Sequence, residues 1–145
     1  ENKSTLELFL EKLSVQAASQ VKYFPEVSYS EIKEHISRAA VIVLPSFAEA
    51  LPMTWLEAMA MEKPLVTSNI GWAKEVMLNG ITGFTENPKD HKAYADKILY
   101  LLDNPCEAAE MGKAARDRVK KRFSTEVVVD QNIKFYNSVL KPDSN

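Results

Sequence analysis

Two carboxylates, Glu49 and Glu57, separated by seven residues around an expected helix start, are of a type that could do chemistry. An ionised carboxylate only accepts hydrogen bonds, so it suits vicinal hydroxyls, and it favours positive charge that develops nearby. Glu57 falls near the start of a helix expected over residues 54–61. The first backbone N–H groups of a helix have no partner inside it and, with the helix dipole, favour an anion such as a diphosphate. By itself this pattern is nonspecific, because any α/β protein has several such helix starts. Plainer readings stand beside it. Thr54 and Glu57 have the spacing of a capping box, and Glu49 can be an exposed loop acid.

Other reactive types carry less. His35 and His91 fall on expected helix surfaces without a metal-ligand partner at i+4, so no metal site is expected. Cys106, at a helix start with no nearby histidine in sequence, reads as structural. Trp55 reads as core or interface rather than a sugar-stacking platform. Arg116, Arg118, Lys120, Lys121 and Arg122 form a basic cluster toward a helix C-terminus, where cations complement the dipole. A solvated helix end is the plain reading of it, and a peripheral membrane contact is the alternative.

The elements that must position the two acids alternate along the chain. Leu6, Leu8, Phe9, Leu10 and Leu13 open it with an amphipathic helix, and residues 21–24 form a short β-prone run closed by Pro25. Ser28 and Glu31 predict a capping box with a helix to Arg38. Residues 39–44 are continuously apolar, the pattern of a strand buried on both faces in a parallel sheet. Residues 64–67 and 84–85 read as further strands, with a helical turn or two over 73–78 between them. Asp90 then caps a helix to about Leu102, Asn104-Pro105 caps the next, and Ser124 starts a last helix with Val128, Ile133, Tyr136 and Leu140 on its apolar stripe. The tail from Lys141 is expected to be disordered. The predicted fold class is α/β, a Rossmann-like parallel sheet with helices on both faces. In such sheets ligands bind beyond the carboxyl ends of the strands, where the loop over residues 45–53 would lie.

Composition bounds the alternatives. A length of 145 residues fits one domain with a sizeable core, and a net charge of -2 gives no electrostatic footprint for nucleic acid. One cysteine excludes an internal disulfide framework and fits a reducing compartment. No apolar run approaches the roughly 20 residues that span a bilayer, and residues 1–13 are too charged for a secretory signal. The expected location is cytoplasmic, with the membrane's inner face as the alternative.

The segment Pro45-Ser46-Phe47-Ala48-Glu49-Ala50-Leu51-Pro52-Met53-Thr54-Trp55-Leu56-Glu57-Ala58-Met59-Ala60 resembles the donor-site signature of the GT-B retaining glycosyltransferases of family 4, or group 1. That signature is a strand, Pro-Ser, and two glutamates, the second followed by Ala-Met-Ala. Lys63-Pro64-Leu65-Val66, Ile70-Gly71 with Glu75, Gly80-Ile81-Thr82-Gly83-Phe84, Met111-Gly112 and Arg122-Phe123-Ser124 extend the likeness over most of the chain from about Val21. The resemblance implies that Glu49 faces the donor sugar and the charge developing at its anomeric carbon, and that Glu57 accepts from the ribose hydroxyls. It implies that backbone N–H groups over Leu51, Pro52, Met53 and Thr54 meet the sugar and diphosphate, and that Val27 and Ser28 lie toward the base. Partners would be a nucleotide sugar and a glycan or lipid acceptor, with no cofactor and no metal.

The chain departs from the family pattern in places. Glu62 stands where a glycine is usual, Trp72 where a second glycine is common, and Leu51-Pro52 replaces Phe-Gly. Proline has no N–H, so one phosphate donor is lost. An N-terminal acceptor domain and a strand-helix-strand bearing an arginine and a lysine have no match. Residues 1–145 therefore read as a partial nucleotide-sugar-binding domain, truncated at its N-terminal end and inactive alone. The competing reading is a non-catalytic α/β interaction domain that has lost donor binding; a GT-B relative that isomerises or phosphorolyses sugars is a third.

Overall fold

Short runs rich in valine, isoleucine and threonine become strands where a neighbour can share backbone hydrogen bonds. The computed structural model describes residues 3–140. Among these, such pairing occurs at β1 (Ile42–Leu44), β2 (Leu65–Ser68) and β3 (Phe84–Glu86). They form one sheet in the order β1-β2-β3, parallel throughout, with Ile42 opposite Leu65 and Val66 opposite Phe84. The chain divides into two compact units, Glu1–Ile32 and Lys33–Asn145, and the sheet belongs to the second.

The first unit holds α1 (Thr5–Leu10) and α2 (Val15–Ala18). Ser4 and Glu7 close a full capping box on α1, and Ser14 caps α2, a helix the sequence reading missed. Residues 21–24 are irregular rather than a strand, and Tyr23 and Phe24 are exposed. Among the described residues this unit contains no strand, so β propensity here has no neighbouring strand within the unit. At the end of this unit Ser28 begins α3 (Tyr29–Arg38), its Oγ donating to Glu31 Oε2 at 2.6 Å and its N–H at 2.7 Å. That capping box is the expected one.

In the second unit the chain alternates β1, α4 (Met53–Ala60), β2, α5 (Ala73–Val76) and β3, then continues through α6 (His91–Asp103), α7 (Pro105–Arg122) and α8 (Thr125–Leu140). All four β2 residues have no exposure. Successive strand side chains point to opposite faces, so both faces of the sheet are covered. On one face Val66 packs with Tyr94 and Leu101 of α6, and on the other Thr67 Oγ1 reaches the Met77 sulfur at 3.3 Å. A fully buried apolar side chain contributes roughly 1.5–3 kcal/mol. The burial expected of β1 thus belongs to β2. At the edge of the sheet β1 is only partly covered, with Val43 37% exposed.

Helix ends explain the connections. The chain leaves α4 through Glu62 at φ 58, with Glu62 N–H donating to Met59 O and Lys63 N–H to Ala58 O, both at 3.0 Å. These are the paired bonds of a Schellman cap, which needs a left-handed residue and so explains why glycine is usual there. Lys63 Nζ then donates to the carbonyls of Ser37, in the last turn of α3, and of Ala39, just past it. Asp90 accepts from Ala93 N–H and starts α6 as expected. Asn104 differs from expectation, since its amide turns back to Tyr100 O at 2.9 Å and does not cap α7. Ser124 Oγ accepts from Val127 N–H at the start of α8, but the apolar stripe there is exposed, from Val128 at 38% to Leu140 at 77%. The tail from Lys141 lies outside the described residues.

Candidate functional site

The loop over residues 45–52 leaves the carboxyl end of β1 and runs into α4. Two groups fix where it begins. Leu44 ends the strand, and its carbonyl accepts from Ser46 N–H at 3.0 Å and from the Tyr94 hydroxyl at 3.2 Å. Tyr94 is 6% exposed and also lies 3.5 Å from Ser68 Oγ, at the end of β2. Burial raises its phenol above the ordinary tyrosine value, so the hydroxyl stays a donor. One α6 side chain therefore spans the ends of two strands.

The loop's far half is held by a backbone contact. Gly71, in the loop after β2, has φ +54, and a Cβ there would lie 2.2 Å from the Glu49 carbonyl oxygen. Glycine is thus required twice, by the left-handed backbone and by the approach of the Glu49 main chain. Glu49 is half-buried and the neighbouring loop residues Phe47 and Leu51 are exposed. Trp72 takes φ -81, so its side chain costs no strain where a second glycine is common.

Pro52 is the N-cap of α4, with φ -79 and ψ 91, and no side chain caps the helix. Trp55 and Leu56 N–H groups bond to Pro52 O, at 3.1 and 3.4 Å, while the first turn contains no acid. Met53 and Thr54 are exposed at this uncapped start. The capping box read from Thr54 and Glu57 does not form, because Thr54 is already inside the helix and Glu57 stands a further turn along. Glu57 is half-buried, four residues after Met53 and so on the same side of α4. Trp55, Leu56, Ala58 and Met59 face the core. Trp55 is 1% exposed, which matches its reading as core, and among the described residues its indole N–H has no acceptor.

One loop and one helix thus gather Glu49, Leu51, Pro52, Met53, Thr54 and Glu57 at the carboxyl edge of the sheet. Val27 and Ser28 belong to the other unit, where Val27 is half-buried and the Ser28 hydroxyl is engaged by Glu31. Tyr94 was missed. Its signal was its place four residues after the Asp90 cap and seven before Leu101, on one side of α6. Among the described residues no cluster of three or more His, Cys, Asp or Glu side chains could hold a metal ion.

The fold is a Rossmann-like α/β domain with loops gathered beyond the carboxyl ends of a parallel sheet, where ligands bind in such folds. The family model described as glycosyl transferases group 1 matches residues 1–118. A glycogen synthase of Mycobacterium tuberculosis is 34% identical over 115 residues, which are 79% of this chain and 28% of that protein. The sucrose-phosphate synthase of Thermosynechococcus elongatus superposes with a TM-score of 0.83 at 25% identity, covering 95% of this chain and 34% of that one. The Anabaena protein Alr3699/HepE, solved in complex with UDP, superposes with a TM-score of 0.69 at 23% identity over 72% of this chain and 29% of that one. The chain belongs to the group 1, or family 4, glycosyltransferases and has the fold of the C-terminal half of a GT-B enzyme. It spans about a third or less of the length of these relatives.

Proposed function

We propose that this chain is the donor-binding part of a retaining glycosyltransferase that moves a sugar from a nucleotide-diphosphate sugar to a glycan or lipid acceptor. The observation that carries this reading is the uncapped start of α4 beside the Glu49 loop, which Gly71 holds against the carboxyl edge of the sheet. Free N–H groups and the helix dipole there favour a diphosphate. The N–H groups of Met53 and Thr54 are the donors left in the first turn, since Pro52 has none. Glu57, one turn along, would accept from the ribose hydroxyls. Glu49 would face the donor sugar and stabilise positive charge as the bond from the anomeric carbon to the diphosphate breaks. Catalysis in this half is positioning and electrostatics, with neither metal nor cofactor.

The UDP carried by the Anabaena neighbour supports the ligand class, and the glycogen synthase supports polysaccharide synthesis as the setting. No helix among the described residues is long and apolar enough to cross a membrane. Work on cytoplasmic nucleotide sugars, with acceptors reached through further protein, fits the proposal, and sugar transfer by the 145-residue chain alone is expected to be undetectable. The deciding experiment is calorimetric titration of the chain with UDP and with GDP. Saturable heat with either supports the reading; silence with both returns the chain to a non-catalytic interaction domain.

A further inference from the structure

Among the large exposed side chains near the site, Trp72 is a tryptophan where a glycine is common in the family. Trp72 directly follows Gly71, the residue whose backbone packs on that of Glu49, so its Cα lies about 3.8 Å from that contact point. Its side chain is 57% exposed, while the chain's other tryptophan, Trp55, is 1% exposed. The backbone of Trp72 is ordinary, φ -81 and ψ 12, and it begins α5 without a side-chain cap. Neither strain relief nor capping accounts for an indole there. An exposed indole gains free energy when its face is covered, and its amphipathic ring suits a ligand with one apolar face and a polar rim. A pyranose ring is such a ligand, with C–H groups on its faces and hydroxyls at its edge. The packing of Gly71 on the Glu49 main chain brings the two loops together, so one loop offers an acid that can accept from hydroxyls and the other a ring that can cover a C–H face.

We propose that Trp72 stacks on a pyranose ring held beside Glu49 and acts as a specificity-determining residue for the sugar. This rests on the donor-binding reading above. The ring can come from the donor or from the acceptor, and the two sources separate experimentally.

Fluorescence gives direct access, because a soluble quencher reaches Trp72 and is excluded from Trp55. The 145-residue chain is titrated with UDP, UDP-glucose, GDP, GDP-mannose and, separately, maltotriose, while acrylamide quenching and calorimetric affinity are followed. The expected result is that a nucleotide sugar, or maltotriose, protects Trp72 from acrylamide while the bare nucleotide does not. Protection by the nucleotide sugar assigns the donor ring, and protection by maltotriose assigns the acceptor ring. Trp72→Ala is expected to weaken binding of the protecting sugar by about threefold to tenfold and leave the bare nucleotide unchanged. Trp72→Phe recovers part of that loss, which a merely structural role would not require. If UDP or GDP binds but no sugar alters quenching, or if Trp72→Ala weakens nucleotide and nucleotide sugar equally, the stacking role is overturned and the donor site stands. If neither nucleotide binds, both fall together.

Discussion

The α-carbon of Gly71 faces the carbonyl oxygen of Glu49 so closely that a methyl group added there would sit 2.2 Å from it. This contact joins the loops that follow β1 and β2, and through it the segment around one candidate acid takes its position from the neighbouring strand's loop.

Gly71→Ala therefore has two costs, a left-handed backbone of about 1–2 kcal/mol and a clash with main chain that cannot rotate away. We expect a loss of about 2–3 kcal/mol in urea denaturation, a range set by the larger single-site mechanisms. Nucleotide affinity should fall as well, because the Glu49 loop must shift. An unchanged denaturation midpoint would show that the loops do not depend on each other.

Glu62→Gly should have the opposite sign. Glu62 holds φ 58 in the Schellman cap of α4, so glycine removes about 1 kcal/mol of backbone strain. The ion pair lost with Arg116, at 3.6 Å and nearly half exposed, is worth at most a fraction of that. Stability should rise by about 0.5–1 kcal/mol. A drop in thermal midpoint would mean that the ion pair matters more than the backbone.

Gly112→Ala looks favourable by helix propensity, by about 1 kcal/mol. Packing decides otherwise. A Cβ at Gly112 would lie 2.1 Å from the Glu62 carbonyl oxygen, where α7 closes on the end of α4. A net loss of about 2–4 kcal/mol is expected, as for overpacking of a tight contact. Differential scanning calorimetry would read it as a lower midpoint, and an increase would show that the two helices can separate freely.

Much of this arrangement can be read locally, and the exceptions share a cause. Ser28 with Glu31, Asp90 before α6 and the apolar runs at 39–44 and 64–67 are signals contained within a few residues, and each marked an element, the strands forming over 42–44 and 65–68. Which strand would be interior was not local. Ile42-Val43-Leu44 is the more apolar run, yet β2 carries the burial because strands flank it on both sides. The start of α4 moved because Pro52, with its fixed φ, took the cap position that Thr54 seemed suited to. At the candidate site the loop and the helix were legible from the sequence pattern, whereas the two acids were singled out by the family resemblance. The bond from Tyr94 to Leu44 spans fifty residues of sequence, and no spacing rule encodes it.

Tyr94→Phe tests that bond. Loss of one hydrogen bond of this kind costs about 0.5–1.5 kcal/mol. A pH signature accompanies it. Burial raises the Tyr94 phenol above 10.0, an effect reduced by its bond with Ser68 and reinforced by Glu86. A phenol kept neutral by the fold contributes stability that is fully present below the unfolded value and is lost as pH climbs through the folded one. The window is therefore alkaline, above about 10. Tyr100 is also raised, chiefly by its hydrogen bond to Glu107, so the informative quantity is the difference between parent and variant. Urea midpoints followed from neutral to strongly alkaline pH should fall less steeply in Tyr94→Phe. Parallel curves would remove Tyr94 from the account.

Glu57→Ala addresses the proposed donor site. The side chain is half-buried on the side of α4 away from the core, so folding should change little. A hydrogen bond to a charged group is worth about 1.5–3 kcal/mol, so UDP or GDP affinity should fall about tenfold to a hundredfold. Unchanged affinity in calorimetry would remove the ribose contact from the proposed mechanism.

The position of β1 has a practical consequence for handling this chain. An edge strand of three aliphatic residues offers unpaired backbone groups to any extended segment that comes alongside, including a second molecule. Concentrated samples should therefore be checked by light scattering before any titration is interpreted. A lysine introduced at the partly uncovered Val43 would act as a gatekeeper against such stacking and keep the material monodisperse.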